Sequence, residues 1–300
     1  MTTETITASG GTVLASITAG VADVRLNRPA KLNALNAEMF TDLLETGLAL
    51  RRRAGIRAVV LSGEGRAFCA GLDVSAFDAM ASNSDWRAPT AELLDPADPL
   101  FELNRGQRAA AVWAGLAVPV IAAVRGPAFG GGLQIALHAD IRIVAPDATL
   151  SVTEVRWGLV PDMGGTQLLP RLVGADVAME LACTGRSISG ADADRIGLAT
   201  RTADDPHAAA MALAAEIAGY NPDAVRASKS LLSRSWELSL ADGMAAERDA
   251  MRRLARSPNQ REAVLARRQD RAPVFTDPPV HSEPSREPSR TPEQERTHHA

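Results

Sequence analysis

Cysteine is scarce in this 300-residue chain, and the two present, Cys69 and Cys183, form no CxxC pair and have no histidine at zinc-ligand spacing. That excludes a disulfide framework and a zinc ribbon, and it fits a reducing, cytoplasmic setting. Long apolar runs are missing too. Residues 1–11 are Thr-rich, with neither a basic region nor an apolar stretch, so no signal peptide and no transmembrane helix are expected. Charge of one sign is lacking: the formal net charge is -4, with acidic and basic residues interspersed. The chain therefore has no electrostatic footprint for nucleic acid or a membrane, and its expected partners are small molecules or other subunits. Several motifs fail as well. Gly63-Glu64-Gly65 begins like a dinucleotide fingerprint, but its sixth position is Phe68; no glycine run is followed by GK[ST], and no Gly-x-Ser-x-Gly elbow occurs.

What is present is a chain that is 46% hydrophobic, enough for a sizeable core. Residues 12–18 and 21–27 are short β-rich runs separated by Ala19-Gly20, which predicts a hairpin. Asn36 can cap a helix reaching Arg53, because Met39, Phe40, Leu43, Leu44 and Leu48 recur at helical spacing. A buried strand at 57–62 follows, then a Gly-rich loop at 63–73. Residues 79–99 are polar and aperiodic, which predicts a mobile surface segment able to serve as a lid. A helix at 100–115, a strand at 120–124, a Gly-rich turn, a helix at 132–138 and a strand at 141–144 come next. Repeated strand–helix units imply parallel pairing with helical crossovers. Beyond Gly174 only helices are expected, at 175–183, 189–195, 206–219, 222–234, 239–255 and 258–268. From Asp277 the chain is Pro-rich and polar and predicts disorder.

Two glycine turns could carry chemistry. One is Phe68-Cys69-Ala70-Gly71-Leu72-Asp73, at the end of a strand; the other is Gly130-Gly131-Gly132, between a strand and a helix. Each could be a plain structural turn. Together they could direct one backbone N–H each at the same carbonyl oxygen. The candidate carboxylates are Glu154, among Val152, Val155 and Trp157, and Asp162, before Met163-Gly164-Gly165. Burial would raise the pKa of Glu154, whereas a solvated strand-end glutamate is the plainer alternative. Asp162 reads equally as a helix N-cap. Cys69 reads as a packing residue and His138, four residues after Gln134, as a hydrogen-bonded structural one.

Five segments in order resemble the crotonase (enoyl-CoA hydratase/isomerase) superfamily over roughly residues 12–275: Leu26-Asn27-Arg28-Pro29, Lys31-Leu32-Asn33-Ala34-Leu35, Ala67 to Asp73, Gly126 to Gly132, and Gly158 to Pro161 with Gly164 to Gln167. The resemblance implies an α/β fold, a crotonase-like spiral of ββα units at 12–200, with a C-terminal all-helical trimerisation region at 201–275 and a tail at 277–300. It implies a homotrimer or dimer of trimers acting on an acyl-CoA thioester, with no separate cofactor and no metal. By matching position, Leu72 and Gly131 would supply the oxyanion-hole N–H groups, while Lys31, Leu32, Asn33, Ala70, Gly71 and Asp73 would line the coenzyme A. The family's hydratases carry two glutamates. Glu154 matches the second, but Gln134 stands at the first, and it can orient a water or thioester without accepting a proton. Asp162 falls where the family's dienoyl-CoA isomerases place a proton-transfer aspartate. The expectation is a double-bond isomerase using Glu154, Asp162 and Gln134, with a single-glutamate hydratase, or a non-catalytic acyl-CoA-binding or RNA-associated relative, as alternatives.

Overall fold

A computed structural model of the chain describes residues 3–82 and 90–278. Its centre is a seven-stranded sheet in the order β1-β2-β3-β4-β5-β7-β10. β1 (Glu4–Thr7), β2 (Val13–Thr18) and β3 (Val21–Leu26) pair antiparallel. Ala19 and Gly20, both at positive φ, make the tight turn that the right-handed strand twist prefers. β4 (Ala58–Gly63) and β5 (Val120–Val124) extend the sheet in parallel. Helix α1 (Ala37–Arg51) lies between β3 and β4, and α2 (Val74–Ala81) and α3 (Arg105–Ala114) lie between β4 and β5. β6 (Pro127–Phe129), α4 (Gly131–Leu137), β7 (Ile141–Val144) and β8 (Thr149–Ser151) follow. β6, β8 and the later β9 (Ser187–Ser189) form a second, three-stranded sheet.

The helical stretch begins with α5 (Gly165–Val173) and α6 (Ala175–Thr184), then α7 (Gly190–Arg195). It is not helical throughout. β9 and β10 (Arg201–Thr202) lie within it, and β10 adds the last parallel strand beside β7. Two- and three-residue strands are too short to show a period of two, so spacing could not reveal them. α8 (Pro206–Ala218) then packs across the sheet, where Ala210, Ala214 and Ala218 lie over Val60, Ile121 and Ile143. α9 (Pro222–Ser233), α10 (Leu240–Leu254) and α11 (Pro258–Arg268) complete the chain. No helix among the described residues is long and apolar enough to cross a membrane.

The expected mobile segment at 79–99 and disordered tail from Asp277 fall partly on 83–89 and 279–300, outside the described residues. The described parts are structured. α2 runs into the first of them, Ala91–Leu93 form a 3-10 turn, and Asp277 pairs with Arg57 at 2.8 Å. α3 starts five residues later than its periodicity suggested, because Asn104 and Gln107 form a reciprocal capping box there.

One buried amide organises the sheet's outgoing loops. Asn33 is fully buried; its Nδ2 donates to the carbonyls of Glu64, Ala67 and Phe68, and its Oδ1 accepts the Arg28 N–H. It also holds a positive φ of 56°, which asparagine tolerates better than most residues. Asn33→Ala would leave these groups without a partner and should cost about 2 kcal/mol of folding free energy in urea titration. A loss below about 0.5 kcal/mol, the low end for a single hydrogen bond, would show the loop to be held by other means.

Candidate active site

The two glycine turns meet because the strands feeding them are paired. Cys69 and Ala128 form a parallel bridge: Cys69 N–H donates to Pro127 O at 3.1 Å and Phe129 N–H to Cys69 O at 3.0 Å. Leu72 and Gly131 each lie three residues beyond a member of that bridge, so the register carries them forward side by side. The approach is close. A Cβ on Gly71 would fall 2.8 Å from Phe129 O, and one on Gly132 would fall 2.5 Å from Cys69 O. Gly71, at a φ of 89°, and Gly132 therefore tolerate no side chain. Neither Leu72 nor Gly131 donates its N–H to any described residue, and Gly131 opens helix α4. Two residues with unclaimed donors, one at a helix N-terminus, thus line the same cavity.

That cavity measures about 680 Å³ and includes Leu72, Gly130, Gly131, Gln134, Glu154 and Asp162 in its lining. Glu154 is only 9% exposed and begins a 3-10 turn, Glu154–Trp157, which replaces the solvated strand end of the plainer reading. Its Oε1 accepts from Gln134 Nε2 at 2.6 Å, while its Oε2 is buried with no hydrogen-bond partner among the described residues. Burial pushes the Glu154 carboxyl above its ordinary pKa, with the negative charge of Asp162 adding to the rise; its own backbone N–H and Gln134 work against it.

Gln134 does not hang free to orient a substrate. Its Oε1 accepts the backbone N–H groups of Met163 at 2.8 Å and Gly165 at 3.0 Å, which dictates that its NH₂ points at Glu154. Asp162 is exposed at the cavity rim and caps nothing: the N-cap of α5 is Gly164, without a side-chain bond. His138 is structural, its Nε2 bonded to Met163 O at 2.9 Å, and burial lowers its pKa. Cys69 packs against Gly132, and burial pushes its thiol up to about 12, far from a nucleophile's range.

The six residues expected to line coenzyme A divide into two groups. Ala70 N–H donates to Leu32 O at 2.9 Å and Leu35 N–H to Gly71 O at 2.8 Å, so the two segments run side by side toward the cavity, with Lys31 exposed at its approach. Asn33 and Asp73 have partners within the protein. Asn33 is wholly buried with its amide committed to backbone, so it positions the turn rather than touching a ligand. Asp73 caps α2 through Ser75 and pairs with Arg28 at 3.0 Å. Burial opposes its ionisation, but the Ser75 N–H and Arg28 hold its carboxyl below the usual range.

Spacing could not foresee the role of Met163, whose N–H and C=O bind Gln134 and His138, nor the stacking of Phe77 on Trp157 with centroids 4.1 Å apart. Met163 contributes only backbone groups there. Phe77 and Trp157 stand 80 residues apart and only the fold joins them.

Comparison with known proteins agrees with this architecture. The family described as enoyl-CoA hydratase/isomerase matches residues 16–278. A Mycobacterium tuberculosis protein named "Probable enoyl-CoA hydratase echA8" is 34% identical over 270 residues, covering 88% of this chain and 98% of its own. The bovine mitochondrial "Enoyl-CoA hydratase domain-containing protein 2" is 35% identical, covering 87% of this chain and 86% of its own. A crystal structure of enoyl-CoA hydratase from Mycobacterium tuberculosis superposes with a TM-score of 0.75 at 30% identity, covering 88% of this chain and 98% of that one.

The electrostatics of Glu154 give a pH-dependent stability. A carboxyl whose folded pKa lies above its unfolded value, about 4.3, binds more protons folded than unfolded. Stability then falls as pH rises from the unfolded value through the folded one, and the penalty is constant above both. Glu154→Gln removes the charge and keeps an oxygen for Gln134, so its stability relative to wild type should increase through that window and level off. Urea titrations at a series of pH values check this; a difference that does not change with pH would show that ionised Glu154 is not penalised by burial.

Proposed function

The chain belongs to the enoyl-CoA hydratase/isomerase family, and on that premise we propose that it shifts a double bond along an enoyl- or dienoyl-CoA with Glu154 as the single proton carrier. The observation that carries this reading is the commitment of Gln134. With Oε1 bound to two backbone N–H groups and one N–H on Glu154, it has no basic atom free to take a proton from water.

The chemistry needs one base and one oxyanion site. Glu154 Oε2 removes a proton from the carbon next to the thioester of a 3-enoyl-CoA. The electron pair moves toward the carbonyl oxygen, where the N–H groups of Leu72 and Gly131 oppose the growing negative charge. Glu154 then returns the same proton at the far end of the dienolate, which gives the 2-enoyl-CoA with no net gain or loss of atoms. The raised pKa of Glu154 suits both halves, since it makes the carboxylate a stronger base while the acid form can still return the proton. In this reading Asp162, at the rim, is the second proton carrier for dienoyl substrates. The coenzyme A thioester is the substrate, and the reading requires no separate cofactor.

Hydration is the second reading, favoured by the names of the relatives. In it the remaining N–H of Gln134, which has no acceptor among the described residues, would hold the water and Glu154 alone would act on it. Purified protein should turn over 3-enoyl-CoA faster than it hydrates crotonyl-CoA. Glu154→Gln should lower turnover at least about 10²-fold while acyl-CoA binding persists. Crotonyl-CoA hydration at full strength would favour the second reading, and unchanged turnover in Glu154→Gln would remove that residue from the chemistry.

Assembly as a homotrimer or dimer of trimers belongs to the same proposal. Leu232, Trp236, Leu240, Met244 and Met251, on or near α9 and α10, are large, apolar and exposed in the single chain, an arrangement typical of association surfaces. Light scattering should give three or six times the 31.6 kDa chain mass, and Trp236→Glu with Leu240→Glu should shift it toward one chain. A lone chain mass at micromolar concentration for the unaltered protein would refute the association.

A further inference from the structure

We infer that the stacked rings of Phe77 and Trp157 form the end wall of the acyl pocket and restrict the protein to short acyl chains; the inference rests on the acyl-CoA reading above. The rings come from opposite walls. Phe77 lies on α2 and Trp157 on the Glu154–Trp157 turn, yet their centroids are 4.1 Å apart and their planes within 13° of parallel. Both line the cavity that contains Glu154, Leu72 and Gly131.

Each ring is tied to a reacting group by a short stretch of chain. In a 3-10 turn residues i and i+3 lie over one another, so Trp157 sits on the side of Glu154, about 6 Å along the axis. Phe77 follows Leu72 by five residues, at the start of a helix anchored by Asp73 to Arg28. With its thioester at the two N–H groups and its α-carbon at Glu154, an acyl chain running toward the stacked pair would be stopped by it.

Beyond the stack the surface is apolar and open. Trp157 is 53% exposed and Val160 68%, and Val74, Met80 and Leu159, which also line the cavity, are exposed with them. α2 is lightly held, with Ala76 its one buried residue. Removal of either ring would widen the cavity toward this rim and let a longer chain lie across it.

The test measures dissociation constants of the full chain for unreactive saturated esters, butyryl-, octanoyl- and lauroyl-CoA, by calorimetry, and reads the ratio of lauroyl to butyryl. The unaltered protein should prefer butyryl-CoA. Trp157→Ala and Phe77→Ala should each move the ratio at least about tenfold toward lauroyl-CoA, a modest share of what several newly accommodated methylenes can contribute. Trp157→Phe, which keeps a stacking ring, should preserve the ratio. A preference for lauroyl-CoA in the unaltered protein, or an identical ratio in both alanine variants, overturns the inference and leaves the acyl-CoA reading standing. A protein that binds none of the three esters fails that reading itself.

Discussion

A single parallel bridge, Cys69 beside Ala128, sets where the two glycine turns of the candidate site can be. It binds the loop leaving β4 to β6, the strand after β5, and by register it brings the N–H groups of Leu72 and Gly131 to the same depth. Close approach is the constraint behind it. The carbonyl of Cys69 sits where a side chain on Gly132 would have to be, and the carbonyl of Phe129 where one on Gly71 would be. Asn33 holds the same loop from the other side, with three carbonyls on its amide nitrogen. Between the amide clamp and the bridge the loop is held on both sides, and Leu72 and Gly131 line the cavity with N–H groups that have no acceptor among the described residues.

Where the chain advertised its structure, it did so through local patterns. The apolar spacing of Met39, Phe40, Leu43 and Leu44 marks α1, all four being buried, and the unbroken run Val120–Val124 is a strand buried along its whole length. The glycine turns were visible because a conformation open only to glycine leaves glycine in the sequence. β9 and β10 were not visible, since two or three residues carry no period, and β1 is mostly exposed and so lacks a buried face to read. The site divides the same way. Gln134 and Glu154 could be named, but that the first grips the second depends on Met163 and Gly165 N–H groups 29 and 31 residues away from Gln134. Asp162 shows the limit from the opposite direction: a carboxylate just ahead of a helix looks like its cap, yet the helix starts at Gly165 behind a glycine.

The clamp also decides how many negative charges the cavity must hold. A glutamate in place of Gln134 would put a second carboxylate 2.6 Å from Glu154 Oε1, a distance at which two buried carboxylates cannot both ionise and must share a proton. The neutral amide avoids this. It donates to Glu154, favouring the ionised form, and leaves burial and Asp162 as the opposing influences. The result is one carboxyl raised above its ordinary pKa with a single unpartnered oxygen, Oε2.

That asymmetry within one carboxyl is the strongest argument for a shuttle over a water-activating pair. An oxygen held by an amide N–H is a poor proton acceptor relative to its bare twin, because protonation of the held oxygen would give up the bond that orients the group. Proton traffic is thereby confined to Oε2. In the proposed reading a proton taken from the substrate stays on that one oxygen, since the other is held by Gln134. Its return to a different carbon then requires only that the dienolate stay held by Leu72 and Gly131 while the carboxyl stays still. Hydration asks for more: a water placed and deprotonated at one carbon and a proton delivered to the neighbouring one. One accepting oxygen and an amide already engaged on three of its hydrogen-bonding positions are what support the proposed reading, in which a proton moves along a substrate.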